Sequence, residues 1–352
     1  MGKVKNFLER KDIEFSVKRY CYDALSAMAL GLFSSLLIGL IIKTLGEQTA
    51  ILFGTNSVST FLVDSGAFAM GLMGPAIGVA VAHGLKSPPL VLFSSIITGG
   101  LGAVAGMGDV VGGPAGAFIA AVIGAEFGKA ISKETKVDII VTPAVTIIMG
   151  AIAAKIFGPL VAMLMTGLGD VIMSATEIQP FFMGIVISVI VGLVLTAPIS
   201  SAALCIMLDL SGLAAGAATV GCCAQMVGFA VISFRANGVG GLFAQGIGTS
   251  MLQVPNIIKN PWILVPPTLA AAIIGPFSTM MFKMTNIPAG AGMGTSGLVG
   301  QIGTFTDMGF NIQVLISVLV LHIAAPAILA WLINKGMLKW GKIKDEDYKL
   351  SL

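Results

Sequence analysis

The sequence predicts an all-α integral membrane protein of about ten transmembrane helices, arranged as two inverted repeats with re-entrant or broken helices. Three observations predict it. Of 352 residues, 56% are hydrophobic and only 11% charged, and the mean hydropathy is +0.97. A soluble chain carries roughly 25% charged residues, so the deficit excludes a large soluble domain. Between residues 178 and 334 the only charged residues are Asp209, Arg235, Lys259, Lys283 and Asp307. Their regular spacing matches about one membrane crossing per charge. The third observation is an internal repeat, described below.

Residues 1–23 carry Lys3, Lys5, Arg10, Lys11, Lys18 and Arg19, interleaved with Phe7, Leu8, Ile13, Phe15 and Val17. This pattern predicts a short amphipathic segment on the cytoplasmic leaflet. The apolar run 24–42 is long enough to span, so the N-terminus does not read as a cleavable signal peptide. Lys129, Lys133 and Lys136 fall in one loop, and Lys335, Lys339, Lys342, Lys344 and Lys349 follow the last span. These three basic clusters are assigned to the cytoplasm, which places both termini there. The chain then reads as one membrane domain over 1–352, with a first repeat at 24–165, a second at 178–334 and a cytoplasmic tail at 335–352. Residues 158–177 fit either a span or an amphipathic helix on the outer face.

The repeat rests on four matches in the same order. LKSPPLVLFSSIITGGLGA (85–103) parallels IKNPWILVPPTLAAAIIGP (258–276), and FAMGLMG (68–74) parallels FAQGIG (243–248). AGMG occurs at 105–108 and again at 291–294, and VDIIVTPAV (137–145) parallels VLHIAAPAI (320–328). The helix starting near Asp138 leaves the basic 129–136 loop, whereas its counterpart ends at the basic C-terminus. The halves are therefore expected to be inverted, as in many secondary transporters with a substrate site at the repeat interface.

Glycine-dense runs in an apolar chain need a reason. Non-helical backbone at membrane depth survives only when buried in protein or lining a cavity. The two AGMG runs, with Gly106, Gly108, Gly292 and Gly294, are expected to break helices and meet near the midplane. Beside the breaks lie Asp109, Thr295, Ser296 and Gln301, which with Asp64 and Asn237 form the candidate substrate-binding set. Asp209, Arg235 and His322 are structural or relay candidates, because ionisable groups within spans suggest function. An Asp64–Arg235 pair is one expectation among these. Cys21, Cys205, Cys222 and Cys223 show no ligand spacing, and no catalytic residue, metal or cofactor is expected. A P-loop and an HExxH motif are both missing, which argues against an ATP-driven pump and a zinc protease. The net charge of +3 carries no nucleic-acid signal; the bilayer is the partner that the basic clusters suggest.

The stretch KSPPLVLFSSIITGGLGAVAGMGDVVGGPAG, with TAPISSAAL (196–204), resembles the phosphotransferase-system enzyme IIC-type membrane proteins. Within them it is most similar to the compact branch that includes the PfoR-type toxin regulators. The resemblance implies a homodimeric carrier in the cell (inner) membrane that moves a sugar inward. Separate IIA and IIB proteins would then phosphorylate that sugar. The Asn-Glu-Pro motif of many glucose-type relatives has no counterpart, since 178–334 contains no glutamate. Two other readings stand beside the permease: a membrane sensor or regulator without net transport, and an ion-coupled secondary transporter using Asp64 and Asp109.

Overall fold

The computed structural model describes residues 2–107 and 110–350. The chain forms two compact units, Met1–Thr166 and Gly167–Leu352.

In the first unit, α1 (Gly2–Arg10) precedes α2 (Leu25–Leu32) and α3 (Ile38–Phe53), which a π-helical turn joins into one apolar span, Leu25–Ile51. α4 (Ser57–Gly71) starts at Asn56, whose side chain accepts from the N–H groups of Val58 and Ser59, while Ser59 Oγ accepts from Asn56 N–H. This reciprocal cap supplies acceptors for N–H groups that the first helical turn otherwise leaves unpaired. α5 (Met73–Gly84) follows at a bend of 50°. Next come α6 (Pro89–Val104), the strands β1 (Gly106–Met107) and β2 (Val110–Val111), α7 (Gly113–Ile131) and α8 (Asp138–Thr176), whose residues from Gly167 on belong to the second unit.

At the first AGMG run one helix ends at Val104 and the next begins at Gly113, so the chain turns back rather than breaking within one helix. The run's described residues form the tip of a helical hairpin, with Gly106 paired to Val111 and Met107 to Val110 in antiparallel register. The physical reason is close packing of the arms. A side chain on Gly102 or Gly116 would collide with the other's backbone carbonyl, so α6 and α7 turn back tightly on each other. Gly108 and Asp109 lie outside the described residues.

Segment 158–177 also resolves differently. Residues 158–176 are the second half of α8, which runs unbroken for 39 residues despite Pro143 and Pro159. At 1.5 Å per residue it is about 58 Å long, well beyond a bilayer core of about 30 Å. Ile148, Ile152, Ile156, Leu160 and Leu164 on α8 are all exposed. Four-residue spacing makes them one stripe on the helix, and such a stripe suits lipid rather than water.

The second unit contains α9 (Pro180–Thr196), α10 (Ser201–Met207), α11 (Gly212–Ile232), α12 (Phe234–Phe243), α13 (Val254–Lys259) and α14 (Val265–Pro276). After these come α15 (Pro288–Ala291), α16 (Val299–Met308), α17 (Ile312–Val318) and α18 (Ala325–Lys339). α11 is the axis: residues 214–230 are buried without interruption. Its alanines and glycines let α9 and α14 pack close. A side chain on Gly221 would meet the carbonyl of Ser188, for example.

Among the described residues, six helices are long and apolar enough to cross a membrane, or seven if α4 and α5 form one bent span. The shorter α6 and α9 are also apolar. The five isolated charges of 178–334 each fall at or within two residues of an element end. Asp209 and Lys283 adopt left-handed backbone there, with φ of 48° and 45°.

Candidate functional site

The second AGMG run is a broken helix. α15 lasts four residues, the chain turns through Gly292–Thr295, a single 3₁₀ turn covers Ser296–Leu298, and α16 begins at Val299. Gly294, Gly297 and Leu298 have φ of 54°, 52° and 61°. Left-handed leucine is unfavourable, and such strain persists only where the surroundings enforce it. Here the break is buried against α11. A Cβ on Gly294 would lie 2.8 Å from Cys222 C and Cβ, and one on Gly292 would meet the carbonyl of Ser201. Ser201 Oγ donates back to Gly292 O at 2.6 Å.

One stripe of α11, made of Thr219, Cys222, Cys223 and Met226, faces this break. Asn286 is its hub. The two hydrogens of its Nδ2 are shared among Thr219 Oγ1 (2.7 Å), Gly300 O (2.9 Å) and Thr304 Oγ1 (3.2 Å), and its Oδ1 accepts from Ile287 N–H (2.8 Å). Thr295 Oγ1 donates to Met226 Sδ at 3.6 Å, and Ser296 Oγ donates to Gly248 O at 2.9 Å. Gln301 Nε2 lies 3.1 Å from His322 Nδ1 and 3.4 Å from Cys223 Sγ. His322 is wholly buried, on the π-helical turn between α17 and α18. With Gln301 Nε2 donating to Nδ1, the imidazole proton sits on Nε2. His322 Nε2 is then a buried donor, and Gln301 Oε1 a buried acceptor, and neither has a partner among the described residues. Buried polar atoms without partners are uncommon, so the pair needs an explanation.

A second seam lies on another face of α11. Gln225 Nε2 donates to Thr268 Oγ1 at 3.0 Å, its Oε1 accepts from Thr196 Oγ1 at 3.4 Å, and Thr196 Oγ1 is 2.8 Å from Ser250 Oγ.

The structure therefore gathers Thr295, Ser296, Gln301, His322, Gly292 and Gly294 around the break. Asp64 is exposed on α4 of the first unit, and Asp209 is exposed in the turn after α10. Arg235 pairs with Asp345 at 3.4 Å. Asn237 holds the C-terminal segment, donating to Tyr348 O and accepting from Leu350 N–H, both at 2.8 Å. Asn286, Gln225 and Cys223 are the residues that sequence reasoning missed. They are neutral, and only their being polar within an apolar stretch could have flagged them.

A separate ionic cluster ties down the N-terminal segment of the first unit. Arg19 donates to both Asp12 carboxylate oxygens at 3.0 and 2.8 Å, and to Leu85 O at 2.7 Å. This bidentate hydrogen bond holds the Asp12 carboxyl below the usual aspartate range. Lys129 Nζ donates to Asp12 O at 2.6 Å, and Glu134 pairs with Arg10 at 2.7 Å and with Lys11. The N-terminal basic cluster and the 129–136 loop thus share one end of their unit.

Exposed apolar stripes, long apolar helices and a buried helix break with internally paired polar groups define a multi-pass α-helical membrane protein of the carrier type. The family model described as "Phosphotransferase system, EIIC" matches residues 22–350, and the chain belongs to that family. It is thus a membrane permease component of a phosphotransferase system, a family that handles small-molecule substrates together with separate IIA and IIB components. No curated protein and no solved structure matches the chain.

Proposed function

We propose that this permease translocates a sugar or similar polyol, and that it binds the substrate where the broken segment 288–308 meets α11 and the turn carrying His322. The observation that carries the reading is that, among the described residues, the linked side chains of His322 and Gln301 keep an unfilled donor (Nε2) and an unfilled acceptor (Oε1) in a buried position. Hydroxyl groups both donate and accept, so the several hydroxyls of one sugar can serve the two atoms separately. The chain supplies binding and orientation, and phosphorylation falls to the separate IIA and IIB proteins. Inverted halves, a homodimer and cytoplasmic termini complete the proposal. The repeat is supported by matched motifs: Pro88 and Pro261 each precede or open an apolar helix, and Pro143 and Pro326 each lie within the first two turns of a helix, α8 and α18.

The test is a thermal-shift screen of the purified protein against sugars, polyols and small acids, followed by uptake of the hit. A hit whose binding falls at least tenfold in Gln301→Leu supports the site, because a lost hydrogen bond between neutral partners is worth roughly 0.5–1.5 kcal/mol and an orphaned group costs more. Uptake should deliver phosphorylated sugar and depend on phosphoenolpyruvate and the partner proteins. Uphill accumulation on an ion gradient alone would reject group translocation, and binding without uptake would favour a sensor. For topology, cysteines placed at 4, 133 and 345 should resist labelling from outside intact cells. Labelling at any of the three would overturn the orientation.

A further inference from the structure

At the end of the second unit, the last turns of α11 and α18 and the start of α12 enclose a cavity of about 390 Å³. It is remote in character from the polar seams on α11. Its walls are Ile232, Leu242, Trp331 and Leu338, and its charged rim is Arg235, Lys335 and Asp345. Apolar walls do not suit a sugar. The Lys335 ammonium sits 3.7 Å from the centre of the Trp331 ring, a cation held at the edge of an apolar surface. The Arg235 side chain is 78% exposed and its contact with Asp345 is long, so the guanidinium keeps most of its donors free. Phe234 in the lining is exposed, as are Val239 and Phe243 further along α12 and Leu332 next to Trp331 on α18.

We propose that this cavity is a lipid site selective for a phospholipid with a primary ammonium headgroup. The chemistry is complementary at three points. A phosphodiester fits between the Arg235 guanidinium and the Lys335 ammonium, as basic pockets between transmembrane helices bind lipid headgroups. The Asp345 carboxylate accepts from the headgroup ammonium. The glycerol and acyl chains cover Leu242, Leu338 and Trp331 and continue over the exposed apolar residues of α12. The lone carboxylate gives the selectivity. A glycerol headgroup has no cation for Asp345, and a choline headgroup carries its charge behind methyl groups that cannot donate. The proposal rests on the multi-pass membrane character of the chain and not on the sugar site.

The experiment uses the full chain in detergent, titrated with phosphatidylethanolamine, phosphatidylglycerol and phosphatidylcholine of identical acyl chains. Bound lipid is read by native mass spectrometry. The expected result is retention of phosphatidylethanolamine at least tenfold above the other two. Soluble O-phosphoethanolamine should bind at least a hundredfold more weakly, because it leaves the apolar walls unfilled. Arg235→Gln with Lys335→Gln should lose all three lipids, and Asp345→Asn should lose only the preference for phosphatidylethanolamine over phosphatidylglycerol. Equal retention of the three lipids by the natural chain would overturn the proposal. So would an unchanged preference in Asp345→Asn, a surface substitution that does not depend on how the double variant folds. Binding of O-phosphoethanolamine as tight as that of the lipid would reject the lipid assignment.

Discussion

Replacing Gly294 by alanine separates two reasons for a glycine in the helix break. The residue has φ of 54°, which costs an L-residue roughly 1–2 kcal/mol. A Cβ there would also sit 2.8 Å from two carbon atoms of Cys222 and 2.9 Å from Cys223 N. Those atoms belong to the buried centre of α11 and cannot swing aside, so overpacking adds about 1–3 kcal/mol. The expected loss is about 2–5 kcal/mol. Gly341 is the control. It closes α18 with φ of 69°, Lys342 N–H returns to Met337 O, and nothing lies within 4 Å of its notional Cβ. Gly341→Ala should therefore lose only the conformational part, about 1–2 kcal/mol. Unfolding of the detergent-solubilised protein can be followed by tryptophan fluorescence, since Trp262, Trp331 and Trp340 all lie in the second unit. Equal losses in the two variants would refute the claim that α11 enforces the break.

Asn286→Ala removes the two amide hydrogens that Thr219 Oγ1, Gly300 O and Thr304 Oγ1 share and leaves these buried acceptors with fewer partners, so the same assay should show a loss of about 2–4 kcal/mol. Asn286→Asp should not rescue it, because a carboxylate cannot donate to Gly300 O. The N-terminal segment should respond to acid. Arg19 depresses the Asp12 carboxyl in the folded state, so the stabilisation is full above the unfolded value of about 3.9 and fades as pH falls through the lower folded value. A spin label at position 15 should keep its mobility from pH 7 to 5 and loosen below about pH 4. In Arg19→Gln the label should already be loose at pH 7, and a tightly held label there would contradict the assignment.

Composition alone carried the membrane class, because burying or solvating so apolar a chain leaves few options. The isolated charges carried the ends of elements, since a charge is cheapest where a helix leaves the apolar layer. The glycine run at 291–303 carried the position of the break, a local backbone property readable from residue type. The parallel run at 105–108 reads alike in sequence, yet its described part closes a helical hairpin. What distinguishes them is the partner: Gly102 against Gly116 in one case, Cys222 of α11 in the other. Likewise the chain 110 to 113 residues further on folds back onto Arg235 and Asn237, a set of partners that residue type does not announce. Residue type and spacing determine which backbone can break and which side chains cannot rest in lipid. Only tertiary structure decides which partner satisfies each buried polar group, because those partners are brought together by packing rather than by spacing along the chain.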